Sequence, residues 1–243
     1  MKPLLFVGFA VLVLMVAGVA CVSEKPAEAE TAAGYAEPEV TSAVRQAYPN
    51  LSSDVVFEND QMIVQHLTSA AGEWSGEHTH EGGQVVIALQ AGTTDYRVGD
   101  EETDRSFAQG EVWEVPAIES HDHAGSIEGD AGFLLVTLAP GEASGTGVAQ
   151  EYAGTPTNVV LENDRVIVQA MTFEPGVWSG EHGHPGGQIA FVIVGGTMTY
   201  REGGEDTERT IETGKVFEIE AVEAHDHAVT GANAMSTVLL TLK

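Results

Sequence analysis

Basic side chains are scarce in this sequence. Of 243 residues only 10 are Lys or Arg, against 37 Asp or Glu, for a formal net charge of −27. That field repels polyanions, and no basic cluster stands ready to hold phosphates, so nucleic acid and anionic membrane surfaces are excluded as ligands. A Lys-poor acidic surface is also what salt-adapted proteins carry, so the acidity names no substrate by itself. Cysteine is nearly absent: Cys21 stands alone, and no disulfide can close within the chain. Helical periodicity is missing as well, apart from a short weak candidate at 42–47.

A long apolar run occurs only at the start. Lys2 is the sole charge before an apolar stretch over 4–20, which ends in Gly18, Val19 and Ala20 just before Cys21. A short basic start, an apolar segment and small residues at its end form a secretory signal over 1–20. The position of the cysteine resembles a bacterial lipobox, which implies that Cys21 is lipidated and becomes the mature N-terminus. An uncleaved membrane anchor is the alternative. Either reading puts the rest of the chain outside the cytoplasm, touching a membrane only through its N-terminal end. Residues 21–40 are rich in Ala, Glu and Pro and read as a flexible tether.

The rest of the chain is an internal repeat with an offset of 104 positions. Trp74, Ser75, Gly76, Glu77, His78 and His80 meet Trp178, Ser179, Gly180, Glu181, His182 and His184. His121, Asp122, His123 and Ala124 meet His225, Asp226, His227 and Ala228, and close to half of the aligned positions are identical. The repeat predicts one domain at 50–139, a Gly-, Ala- and Pro-rich linker at 140–157 and a second domain at 158–243. Within each unit, β-branched and apolar runs recur at roughly ten-residue spacing with glycine turns between them, which argues for an all-β sandwich or barrel.

Eight of the nine histidines lie at matching places in the two copies, and only His66 has no counterpart. A pair of histidines at i and i+2 on a strand points both rings to one face. Two imidazoles from one strand and one from a partner make three sides of a metal site. By the same parity Gln84 and Gln188 share the face of His80 and His184, unless the glycines before them kink the strand. His123 and His227 share the face of His121 and His225. Each is a candidate fourth ligand, a proton shuttle beside the metal, or a hydrogen-bonding partner behind it. Trp74, Trp178, Tyr96 and Tyr200 are expected in the core. Arg97, Arg105, Arg201 and Arg209 are expected to pair with surface glutamates, with anchoring of a carboxylate as the alternative.

These residues carry a family resemblance. Gly72, His78, His80, Gln84 and Ala91 follow the spacing of the first cupin motif, as do Gly176, His182, His184, Gln188 and Gly195. The second motif is visible as Gly110, Pro116 and His121, then as Gly214, Glu220 and His225. The chain resembles a bicupin over about two-thirds of its length, which implies two tandem cupin barrels of the double-stranded β-helix (jelly-roll) type. The resemblance implies His78, His80 and His121, then His182, His184 and His225, as metal ligands. Gln84 and Gln188 occupy the place of the glutamate ligand of many cupins.

The neutral glutamine leaves the full charge of a divalent ion in place and counts against close kinship with oxalate decarboxylases and oxidases. Ile118 and Val222 replace a motif glycine, and Glu220 a motif proline. The donor set suits Fe, Mn, Ni or Zn, up to two ions per chain. Resemblance to cupin dioxygenases with three histidines implies dioxygenase-type chemistry on a small organic molecule, with lyase or isomerase chemistry next. A non-catalytic surface protein that binds a transition metal, or a metal-ligated small molecule, is the alternative of another class. Two fused copies satisfy the pairing tendency of such barrels, so a monomer is expected.

Overall fold

Branched apolar runs set between glycine turns become strands in both repeats. The computed structural model describes residues 43–125, 131–141 and 147–243; the signal segment, the tether and Cys21 lie outside the described residues. The first repeat forms β1 (Ser52–Glu58), β2 (Met62–Ser69), β3 (His78–His80), β4 (Gln84–Ala88), β5 (Gly92–Val98), β6 (Glu101–Phe107), β7 (Val112–Val115), β8 (Ile118–Gly125) and β9 (Ala131–Leu138). The second forms β10 (Thr157–Glu162), β11 (Val166–Phe173), β12 (His182–His184), β13 (Gln188–Val194), β14 (Gly196–Glu202), β15 (Glu205–Ile211), β16 (Val216–Ile219), β17 (Val222–Val229) and β18 (Met235–Leu242).

Each repeat builds two antiparallel sheets. The five-stranded sheets run β1-β2-β9-β4-β7 and β10-β11-β18-β13-β16, and the four-stranded sheets run β3-β8-β5-β6 and β12-β17-β14-β15. Strands distant in sequence lie side by side, as in a jelly roll. Both copies repeat the strand order and share a bulge in the first pair, between Val55 and Phe57 and between Val159 and Leu161, whereas a shift between Val192 and Val194 occurs in the second copy alone.

The apolar run of β4 is buried on both faces, and its two faces serve different cores. Val85 and Ile87 point into a core made jointly by the two five-stranded sheets, where they join Val64 and Val136 and, from the second repeat, Val168, Phe191 and Leu240. Val86 points the other way, into the first barrel, with Leu67, Val115 and Leu135. Met171, Phe173, Met198 and Leu239 fill the second barrel. Each fully buried side chain of this size contributes about 1.5–3 kcal/mol, so the shared core couples the packing of the two repeats. The described residues all fall within one compact unit, Val40–Lys243. Polar contacts follow the same seam: Arg165 donates to the carbonyl of Ala139 at 2.5 Å and the Asn163 side chain to Glu114 at 3.3 Å.

The helix candidate at 42–47 is not helical over its described residues 43–47. The backbone of Gln46 is spent elsewhere. Its N–H donates to the side chain of Gln65 at 2.7 Å, and its carbonyl accepts from the same amide at 2.8 Å. The stretch expected as a linker is tied down similarly, with backbone bonds from Gly147 to Leu242 and from Gly154 to Ser179.

Candidate metal centre

The His-x-His pairs form the three-residue strands β3 and β12, and the later His-Asp-His stretches lie in β8 and β17. His78 pairs in register with His121, and His182 with His225. A register shift after each pair places His80 opposite Ile118 and His184 opposite Val222. The extra residue on the partner strand twists the ladder locally and gathers the rings. In the first repeat the ring centroids are 4.2 Å apart for His78 and His121, 4.8 Å for His80 and His121, and 4.9 Å for His78 and His123. In the second, His182 lies 4.4 Å from His225 and 5.1 Å from both His184 and His227.

Ligand atoms of His78, His80 and His121 converge within 4.8 Å of one another. In the second repeat the converging set is His182, His225 and His227, with the expected His184 beside it. Convergence of histidine donors at matching places is therefore a property of the fold, while the tightest trio differs between the copies.

Hydrogen bonds settle which ring nitrogen is free. Nδ1 of His78 donates to the carbonyl of Gly76 at 2.7 Å, and Nδ1 of His182 to that of Gly180 at 2.6 Å. Gln84 and Gln188, expected among the ligands, stand behind them instead. Oε1 of Gln84 accepts from His80 Nδ1, and Oε1 of Gln188 from His184 Nδ1 at 2.7 Å. Their amide nitrogens donate to Thr137 and Thr241 at 2.9 and 3.0 Å. The kink allowed for at the glycines is the outcome here, and the chain changes sheets between His80 and Gln84. Gly82 and Gly83 take φ of 90° and 68° there, and a Cβ on Gly82 would meet the backbone nitrogen of Ala117 at 3.0 Å. With Nδ1 protonated, four imidazoles present Nε2 lone pairs.

The remaining donors fit a cation. Nε2 of His78, Nδ1 of His121 and Nδ1 of His227 are buried with no hydrogen-bond partner. Nε2 of His182, whose Nδ1 proton is spent on Gly180, accepts a hydrogen bond from Nε2 of His225 at 2.8 Å, a proton that a bound ion would displace. Burial and neighbouring imidazoles push His121 and His225 down to about 4, and His123 and His227 down to about 3, from the ordinary 6.5. Burial also lowers His78, His80, His182 and His184. The cluster is neutral near pH 7, the state in which imidazole coordinates. The same shift makes His123 and His227 poor stores of a proton, which weighs against the shuttle role and toward ligation or hydrogen bonding.

Asp122 and Asp226 lie on the opposite strand face, where each accepts from a buried serine, Ser75 at 2.8 Å and Ser179 at 2.9 Å. Those serines also accept the N–H of His123 and His227, fixing the backbone under the rings.

A cavity opens beside each cluster, about 390 Å³ in the first repeat and about 570 Å³ in the second. The first is walled by His80, His121 and His123 together with Tyr96, Trp113 and Phe133, and the second by His184, His225 and His227 with Tyr200, Phe173 and Phe217. Tyr96 and Tyr200 thus line pockets. Trp74 and Trp178 are half-buried rather than core, with Arg97 and Arg201 stacked 4.0 Å above them. Three arginines pair with acids as expected: Arg97 with Glu102, Arg105 with Glu111 and Arg201 with Asp206.

Tyr48 and Tyr152, which belong to no sequence motif, also reach the clusters. Their rings lie 4.7 Å from His78 and 4.4 Å from His182, and burial pushes both phenols upward. Each sits on an arm pinned by a buried glutamine: Gln65 holds Gln46, and Gln169 holds Gln150 at 2.7 and 2.8 Å. The signal was present, since Gln46 and Tyr48 stand 104 positions before Gln150 and Tyr152.

Residues 169–241 match the family model of the cupin domain. Comparison with curated proteins finds no match. Among solved structures the chain is similar to a cupin 2 conserved barrel domain protein from Leptotrichia buccalis, with 14% identity over 82% of this chain and 92% of that one and a TM-score of 0.52. It is similar to AerE from Microcystis aeruginosa, with 13% identity, coverage of 80% and 93% and a TM-score of 0.59. It is also similar to Bacillus subtilis oxalate decarboxylase, a protein with Mn(II) centres, at 14% identity, coverage of 84% and 79% and a TM-score of 0.51. Identities this low speak to fold, and the fold is that of two tandem cupin jelly-roll barrels.

Proposed function

We propose that the chain is a metal-dependent enzyme acting on a small organic molecule outside the cytoplasm, with dioxygenase-type chemistry ahead of lyase or isomerase chemistry. The observation that carries this reading is a cavity of substrate size opening directly onto neutral, converging imidazoles in each repeat. His78, His80 and His121 would hold one divalent ion of Fe, Mn, Ni or Zn. His182, His225 and His227 would hold a second, with His184 beside them. The Mn(II) centres of the Bacillus subtilis fold relative are in keeping with a divalent ion. Such an ion supplies Lewis acidity toward a carbonyl or enol oxygen, or a binding position for dioxygen.

The chain's own residues do the rest. Gly76, Gly180, Gln84 and Gln188 hold the Nδ1 protons and so aim Nε2 of His78, His182, His80 and His184 inward. Tyr48 and Tyr152 cover the rings and exclude water from one side. The apolar walls strip water from a bound organic molecule, which strengthens every polar contact at the cluster. The signal pattern at 1–20 and Cys21 support a lipid-anchored location on the outer side of a membrane.

A non-catalytic metal holder is the second reading. It is favoured by the fourth imidazole, since a closed set of four nitrogens leaves no position for substrate. Metal analysis of the purified full chain beside His78→Ala and His182→Ala separates the readings. About two equivalents in the parent and about one in each variant, with exchangeable water detected spectroscopically, support open catalytic sites and direct an oxygen-uptake screen. Full loading without exchangeable water supports the holder. A parent that rejects Fe, Mn, Ni, Zn and Cu at micromolar levels overturns both.

A further inference from the structure

The two pockets share one frame but differ in charge and width. Arg105 on β6 and Arg209 on β15 occupy matching places, and each lines its pocket. Arg105 is neutralised, since its guanidinium lies 2.8 Å from Glu111 and 4.2 Å above the ring of Trp113. Glu111 is itself held by the N–H of Ala108 at 2.8 Å. The counterpart of Glu111 in the second repeat is Lys215, which cannot accept, and the counterpart of Trp113 is Phe217. Among the described residues Arg209 has no carboxylate within ion-pair distance. Its guanidinium lies instead 5.1 Å above Tyr200, whose ring is 5.8 Å from His227 and 6.4 Å from His225. The swap of one acid for one lysine thus leaves a cation unpaired at the exposed rim of the second pocket, over the ring of Tyr200.

The walls change in the same direction. Val86, Trp113 and Phe133 of the first pocket become the smaller Ala190, Phe217 and Thr237 in the second, while Thr94 becomes the larger Met198, and the second pocket is the roomier of the two. Met171, Phe173, Met198 and Ile219 keep the interior apolar. Glu202, Glu218, Glu220 and Glu223 stand exposed around the second mouth, so a second negative charge on a ligand would find repulsion rather than a partner.

We propose that the second pocket, and not the first, takes an amphipathic monocarboxylate, with its carboxylate on Arg209 and its apolar body against Phe173 and Phe217, while the first takes a smaller uncharged molecule. A guanidinium fork matches a carboxylate in two parallel hydrogen bonds, which gives the pairing direction as well as strength. This inference rests on the reading of the cavities as substrate pockets beside the histidine clusters.

Calorimetric titration of the full chain with 4-phenylbutanoate and with the matching amide tests it, with metal content measured in parallel. The parent is expected to bind about one equivalent of the acid per chain, and Arg209→Gln to weaken that binding roughly tenfold or more while leaving the amide unaffected. Lys215→Glu, which rebuilds the ion pair of the first repeat, is expected to weaken the acid to a similar degree, and Arg105→Gln to leave it unchanged. Acid binding that ignores Arg209→Gln and Lys215→Glu, equal binding at both pockets, or no acid binding by a metal-loaded chain overturns the proposal. Binding that depends on Arg209 in a chain that takes up no metal supports the pocket assignment while removing the metal reading.

Discussion

Oε1 of Gln84 accepts the Nδ1 proton of His80, and 104 residues later Gln188 does the same for His184 at 2.7 Å. The carboxamide fixes a tautomer and a ring angle without adding charge. Gln84→Leu keeps the volume and removes the acceptor, so His80 is free to rotate and to move its proton. We expect metal affinity in the first site to fall about 10–100-fold, measured by competition with a chelator, and the second site to hold its ion as before.

Acid should release the cluster. Folded-state pKa values below 6.5 mean that the folded chain favours neutral imidazole, while unfolded histidines take up protons as pH falls past 6.5. The stability these groups contribute is therefore complete above about pH 6.5 and is lost as pH drops toward 4 and then 3. The Tm of the chelator-stripped chain should decline by several degrees between pH 7.5 and 4.5. A flat profile across that window would contradict the buried neutral cluster.

Buried Gln169 should govern the arm that carries Tyr152. Its amide satisfies both backbone groups of Gln150, so Gln169→Leu leaves a donor and an acceptor without partners, at a cost of about 1–3 kcal/mol. Hydrogen exchange of a peptide covering 147–156 should accelerate, while the amides of β13 and β18 keep their protection. Uniform acceleration across both strands would mean that the glutamine supports the whole barrel rather than the arm.

Phe191 is fully buried in the core made by both repeats. Phe191→Ala should cost about 3–5 kcal/mol, through lost transfer free energy and the cavity left behind. Because the first repeat supplies half of that core, fluorescence of Trp113 in the first repeat and of Trp178 in the second should report one shared unfolding transition in urea. Two separated transitions would show that the repeats fold as independent domains.

Much of the site was legible before any coordinates. His78, His80, His121 and His123 announce themselves by alternation and by recurrence at a fixed offset, and strand alternation is a local property that needs no knowledge of partners. For Gln84 the sequence left two outcomes open, a shared strand face or a kink at the glycines, and the structure takes the second: two glycines with positive φ carry the chain into the other sheet. Tyr48 and Tyr152 lie on irregular arms before the first strand of each repeat, where a tyrosine has no periodicity to betray it. The pairing of arginines with acids was a sound expectation for Arg97, Arg105 and Arg201, and failed for Arg209 because the matching position holds Lys215.

The sequence by itself determined the all-β architecture, the duplication and the identity of the histidine donors, since each is written in neighbouring residues or in a constant spacing. The tertiary structure decided which atoms those donors leave free, which face of each five-stranded sheet joins its twin, and which of two equivalent arginines keeps its charge unspent. Those outcomes depend on contacts between residues dozens of positions apart, where a bulge, a glycine or one exchanged side chain redirects a hydrogen bond. No local pattern records them.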